Sequence, residues 1–110
     1  MYDIPEKDLT RSYELTVLLP AGYTTAERNE LLGRLGDLIA EHEGEVTSDE
    51  SWGKKDLAYK ITHNKVPHEK AHYHHFVVSM PSTAVNDLDL MLQRHDEVIR
   101  HLIIVQDEQE

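Results

Sequence analysis

Tyr13, Leu15, Val17 and Leu19 alternate with Ser12, Glu14, Thr16 and Leu18, so residues 12–19 carry the period of two of a half-buried strand. Pro20-Ala21-Gly22 ends it. Thr24-x-x-Glu27 is a capping-box pattern that opens a helix, and Leu31, Leu35, Leu38 and His42, with Leu32 and Ile39 beside them, form its apolar stripe. Gly33 and Gly36 each weaken the helix by about 1 kcal/mol relative to Ala; their expected use is to let the helix lie close to a sheet. Gly44 is the expected C-terminal cap. Val46 to about Thr62 reads as a longer second strand, with a bulge or bend near Gly53. A polar loop is expected over residues 63–70, HNKVPHEK.

The third strand places His72, His74, Phe76, Val78 and Met80 on one side and Tyr73, His75, Val77 and Ser79 on the other. Pro81 and Ser82 stop it. A second helix follows, with Val85, Leu88, Met91 or Leu92, and His95 as its buried stripe, and Val98–Val105 reads as the last strand. The order β-α-β-β-α-β gives an α+β, ferredoxin-like sandwich: a four-stranded antiparallel sheet with both helices on one face. The face left open carries Glu14, Thr16 and Leu18 from the first strand and Tyr73, His75 and Val77 from the third. Such a face either receives a partner or is ordinary exposed apolar area.

With 110 residues there is room for one domain, here residues 11–106, between a loose polar arm at 1–10 and an acidic tail at 107–110. There is no cysteine, which excludes disulfides, thiol nucleophiles and Cys-ligated zinc. No stretch approaches the roughly 18 apolar residues of a membrane helix or the pattern of a signal peptide, so an intracellular protein without a membrane partner is expected. The formal net charge is −10, but unevenly spread. Residues 51–75 hold five lysines against Asp56 and Glu69, a local +3, leaving −13 for the remainder. Long-range repulsion therefore opposes unassisted binding to nucleic acid, while docking through one basic surface stays open.

Chemistry-bearing patterns are few. His72, His74 and His75 nearly adjoin, and His72 and His74 share a face about 7 Å apart, but no third ligand follows by spacing. A packing role is the simpler reading, and neither metal nor cofactor is expected. Nucleophile elbow, phosphate-binding glycine loop and His-Glu-x-x-His helix are all missing, so an enzyme is not expected. The stretch ESWGKKDLAYKIT, residues 50–62, is the distinctive one. Trp52 and Tyr59 can stack on bases, Lys54 and Lys55 can neutralise phosphates, and Gly53 permits close backbone approach. Alternatively, Tyr59 and Leu57 are core residues and Trp52 folds over the helix edge. Two function classes stand side by side on these residues: an RNA-and-protein binding component, or a ferredoxin-like regulatory module that binds a small ligand or metal as a homodimer.

The run Trp52-Gly53-Lys54-Lys55-Asp56-Leu57-Ala58-Tyr59-Lys60-Ile61 resembles the W-G-x-basic-x-L-A-Y-x-I signature of bacterial small-subunit ribosomal protein six. Arg11-Ser12-Tyr13-Glu14 resembles that family's opening strand, Lys70-Ala71-His72-Tyr73 its third-strand entry, and Met80-Pro81, Val85–Leu88 and Asp96–Arg100 its second helix and last strand. The likeness covers about residues 11–106. It implies a ferredoxin-like structural protein of the cytoplasmic ribosome that pairs with ribosomal protein S-eighteen, contacts other small-subunit components and binds the central domain of small-subunit ribosomal RNA. On that basis Arg11, Trp52, Lys54, Lys55, Arg94 and Arg100 are the expected RNA contacts, and Leu18, Tyr59, Tyr73, His75 and Val77 the expected partner surface. Gln93 stands where relatives often carry a basic residue, the His72-x-His74-His75 run replaces larger apolar residues, and the QDEQE ending lacks a long acidic extension.

Overall fold

The structure, a computed structural model, describes residues 10–106. The acidic tail and all of the expected arm but Thr10 lie outside the described residues. The elements are β1 (Thr10–Pro20), α1 (Thr25–Glu41), β2 (Glu45–His63), β3 (Val66–Pro81), a 3-10 turn (Ser82–Ala84), α2 (Val85–Gln93) and β4 (Arg100–Val105). They form one four-stranded sheet in the order β2-β3-β1-β4, with every neighbouring pair antiparallel. The ferredoxin-like architecture expected from the element order is the one observed.

Alternation in β1 decides which face is covered. Tyr13, Leu15, Val17 and Leu19 are buried, and the register carries their side to Val78, Phe76, His74 and His72 of β3. Against them pack Leu31, Leu35 and Ile39, spaced four apart along α1, and Leu88 and Leu92 of α2. Each such side chain contributes about 1.5–3 kcal/mol when fully buried. Of the alternatives in α2 it is Leu92 that enters the core, while Met91 stays 47% exposed. Two other expectations shift there: α2 ends at Gln93, before His95, and Val98 and Ile99 are buried ahead of the strand that starts at Arg100.

The ends of α1 show what the sequence encodes locally. Thr24 Oγ1 accepts from the Glu27 backbone N–H at 3.1 Å, and Glu27 Oε1 accepts from the Thr24 N–H at 2.9 Å, completing the capping box. At the other end the left-handed residue is Glu43 (φ 64°), not Gly44. The Glu43 N–H donates to the Ala40 carbonyl at 3.0 Å and the Gly44 N–H to Ile39 at 2.9 Å, the paired bonds of a Schellman motif. Gly44 is needed for closeness instead: a Cβ there would lie 2.6 Å from Ile39 Cγ2 and 3.0 Å from both the Ile39 carbonyl and Val78 Cγ1. Gly33 and Gly36 do not bring the helix to the sheet, because a Cβ at either meets nothing within 4 Å. His42 donates from its ring Nδ1 to the Leu38 carbonyl at 2.9 Å instead of extending the apolar stripe.

The expected loop over 63–70 is almost entirely strand. Only Asn64 and Lys65 turn the chain, both at positive φ (52° and 66°), as a tight two-residue hairpin requires, with His63 paired to Val66. Pro67, the signal that argued for a loop, pairs with Thr62 in a stretch where only β2 and β3 meet, so one side of each strand is free and its missing N–H interrupts no wider ladder.

Gly33→Ala should raise unfolding stability by up to about 1 kcal/mol, and Gly44→Ala should lower it by roughly 1–3 kcal/mol through overpacking against Ile39 and Val78. Urea unfolding midpoints check both; equal effects at the two glycines would contradict the difference in their surroundings.

Candidate nucleic-acid interface

On the open face the register lines up Arg100, Leu18, Tyr73 and Gly53 in one row across the sheet, and Leu102, Thr16, His75 and Glu50 in the next. A third row runs Ile104, Glu14, Val77 and Ser48. The strand is bulged between Ser51 and Gly53, with Gly53 at φ 86°. Trp52 lies two residues after Glu50 and shares its side of β2, so it is on the open face, away from the helices, where its ring stacks on His75 at 4.5 Å with planes 11° apart; the bulge brings Gly53 to the same side. The reading in which Trp52 folds over the helix edge therefore does not hold. His75 is only 9% exposed beneath it, and donates from Nε2 to Glu14 Oε1 at 3.1 Å. Trp52 is 43% exposed and tethered by its Nε1–H to Glu50 Oε1 at 3.1 Å, so one ring face is held flat while the other faces solvent.

Beyond the pair Pro20–Ala71, β1 stops and β2 and β3 continue alone as a two-stranded arm. Lys60, Lys65 and Lys70 lie on it, and Lys54 and Lys55 stand at its root. Among the described residues, the arm's lysines have one ion pair, Lys70 with Asp56 at 3.5 Å, and both side chains are too exposed for it to weigh much. The register jumps from Asp56–Lys70 to Ile61–His68, so Leu57–Lys60 bulge from the ladder. Tyr59 is 76% exposed in consequence and is not a core residue.

The arm does not project freely. At its tip, His63 Nε2–H donates to the carbonyls of His95 (3.2 Å) and Asp96 (3.0 Å), and Asn64 Nδ2 donates to the Asp96 carbonyl and Oδ1, both at 3.3 Å. His63, Gln93, Ile99 and Arg100 line a cleft of about 400 Å³ there. Arg94, at the end of α2, is exposed and lines a separate hollow against α1, with Asp37, Glu41 and His95. Arg94 and Arg100 thus share one end of the molecule with the arm, although Arg100 and the lysine root are on opposite sheet edges, about 14 Å apart at three strand spacings. Arg11 is elsewhere: it pairs with Met80, and Arg100 with Leu18, about 23 Å farther along β1. Of the expected partner surface, Leu18, Tyr73 and Val77 are half-buried neighbours on the open face, His75 is covered by Trp52, and Tyr59 is apart on the arm. His63 and Asn64 were not among the expected contacts. Their signal was the Asn-Lys turn between Ile61-Thr62-His63 and Val66, obscured by Pro67.

The other histidines of β3 are tied to β2. His72 and Ser51 Oγ are 2.8 Å apart, and His74 Nε2 donates to Asp49 Oδ1 at 2.5 Å, leaving its buried Nδ1 without a partner. Burial first, then the nearby positive groups Arg28, His74 and Lys54, push the His72 pKa down. These side chains occupy apolar positions by bonding across to a hydroxyl and a carboxylate. No group of three or more potential metal ligands occurs among the described residues.

The family model for ribosomal protein S6 matches residues 12–105. The chain belongs to the ribosomal protein S6 family. It is 31% identical over 96 residues to small ribosomal subunit protein bS6 of Dinoroseobacter shibae, covering 87% of this chain and 79% of that one. It is 33% identical over 92 residues to the bS6 protein of Jannaschia, covering 84% and 75%. The crystal structure of 30S ribosomal protein S6 from Thermotoga maritima superposes with a TM-score of 0.76 over 89% of each chain at 21% identity, a likeness of fold. As a ribosomal protein S6, the chain is a structural constituent of the small subunit of the cytoplasmic ribosome and not an enzyme.

The segment that receives the arm is itself anchored in this S6 chain. Glu97 accepts from Arg34 Nη1 at 2.8 Å and from the Tyr23 hydroxyl at 2.5 Å, joining α1 and the β1–α1 turn to the stretch before β4. The Arg34 hydrogen bond, then that of Tyr23, holds the Glu97 carboxyl below its ordinary range. Burial, then the bond to Glu97, pushes Tyr23 up to about 12. The raised tyrosine contributes stability that is complete below its ordinary pKa of 10.0 and is lost as pH rises towards about 12. The depressed Glu97 contributes stability present above its ordinary 4.5 and lost as pH falls through its folded value. Tyr23→Phe should flatten the alkaline loss and Glu97→Gln the acid one, read from urea midpoints across pH; unchanged profiles would contradict the linkage.

Proposed function

We propose that the chain binds the central domain of small-subunit ribosomal RNA jointly with ribosomal protein S-eighteen, each protein supplying part of one surface. The observation that carries this is the arm: in a molecule of net charge −10, lysines line a two-stranded projection whose root holds a flat, half-exposed tryptophan. Lys54 and Lys55 meet phosphates at the root, with Arg94 and Arg100 at the far side of the same end. Arg11, at the opposite end of the sheet, makes a separate contact. Trp52 offers its free face to a base. The partner lies on the open sheet around Leu18, Tyr73 and Val77, with His75 reached through Trp52, and Tyr59 meets it or the RNA from the arm. A cationic partner there lessens the repulsion that the remaining −13 would impose.

In filter binding with S-eighteen present, Lys54→Glu with Lys55→Glu should weaken RNA binding and flatten the dependence of log affinity on log salt by roughly one unit per lost phosphate contact. Trp52→Ala should cost about 1–3 kcal/mol with the salt slope unchanged. Undiminished binding by the double lysine variant would overturn the reading.

A further inference from the structure

We infer that His63 and Asn64 are positioning residues: they latch the β2–β3 arm onto the carbonyls of His95 and Asp96, and so set the arm's lysines and Arg94 and Arg100 into one preformed RNA-binding surface. The inference rests on the reading of this end as an RNA surface. It adds to it residues that need touch no nucleotide.

A two-stranded ribbon alone is marginally stable in water. This one is further weakened by the bulge at Leu57–Lys60, where the β2–β3 register is broken. Left to itself, the segment beyond the bulge would pivot there and carry Lys60 and Lys65 with it. Four hydrogen-bond contacts from the tip oppose that freedom, all spanning more than thirty residues of sequence: two from His63 Nε2–H and two from Asn64 Nδ2. Their acceptors cannot follow the arm. The Glu97 carboxylate is clasped by Arg34 and Tyr23, the Glu97 N–H donates to His95 Nδ1 at 3.1 Å, Val98 is buried, and the Ile99 N–H donates to the Leu18 carbonyl at 2.9 Å. Both acceptors of His63 are carbonyls, so its Nε2 carries the proton whatever the charge on the ring. A surface ordered in advance avoids the ordering cost on binding.

The test uses the full chain with S-eighteen and the central-domain RNA. His63→Ala combined with Asn64→Gly, which removes both donors and keeps the positive φ of the turn, should speed amide exchange across residues 59–70 in the free protein. It should weaken RNA binding roughly tenfold with an unchanged salt slope, since no phosphate contact is removed. His63→Gln, which keeps a donor at a similar reach, should recover most of the loss. Asn64→Gly alone, which removes the side-chain donor and keeps the positive φ of the turn, guards against a variant that does not fold, and should show a smaller effect of the same kind. Unchanged exchange would mean there is no latch. Faster exchange with full affinity would mean the arm's set orientation is not used, and a slope reduced by about one unit would make His63 a phosphate contact; each overturns the inference. If the double lysine variant is also inert the RNA surface itself is misplaced, whereas an inert latch variant beside a weakened lysine variant sinks only the latch.

Discussion

A molecule of net charge −10 can come close to a polyanion only where its own field is locally reversed, and here that reversal is confined to a ribbon carrying five lysines between residues 51 and 75. Everything else about the candidate interface is arranged around that restriction. The ribbon extends past the end of β1 and carries Lys60, Lys65 and Lys70 beyond the part of the sheet that β1 covers. Its root carries the indole that a nucleic acid could stack on, and its tip returns to the side of the molecule that bears Arg94 and Arg100. The acidic remainder gives a cationic protein a reason to sit beside it.

The sheet supplies the rigidity such an arrangement needs. β1 lies between β3 and β4 and sends Tyr13, Leu15, Val17 and Leu19 into the core, so the alternate residues Glu14, Thr16 and Leu18 are held on the open face. The histidines of β3 add side-chain links across the strands: His72 to Ser51, His74 to Asp49 and His75 to Glu14. His75 does two things at once, since its ring is also the floor on which Trp52 lies. The stretch His95–Glu97 has a similar double use, bonded to α1 and the β1–α1 turn on one side and to the arm on the other.

Alternation in β1, the four-residue spacing of Leu31, Leu35 and Ile39, and the Thr24–Glu27 box made the fold and its buried face legible in the chain. Local, repeated signals of this kind depend on few distant contacts. What was illegible depends on the third dimension. Gly44 reads as a cap until Val78 is known to lie against it, and Gly33 and Gly36 read as contact glycines until their surroundings prove empty. Pro67 obscured a strand because its tolerance depends on which side of the ribbon is free. The basic and aromatic groups were visible by type, but not that Trp52 would stack on His75, that Arg11 would stand apart from Arg100, or that His63 would reach across to another loop.

The most direct measurement is the affinity of central-domain ribosomal RNA for the full chain alone and for the chain with S-eighteen, both at near-physiological salt. Alone, the chain should bind no better than a non-specific ligand, with Kd on the order of 10⁻⁶ M or weaker, and the partner should convert this to tight, site-specific binding with protection of the RNA at both proteins' contacts. Protection by the chain alone, with Kd on the order of 10⁻⁹ M, would contradict the dependence of this acidic molecule on a cationic neighbour.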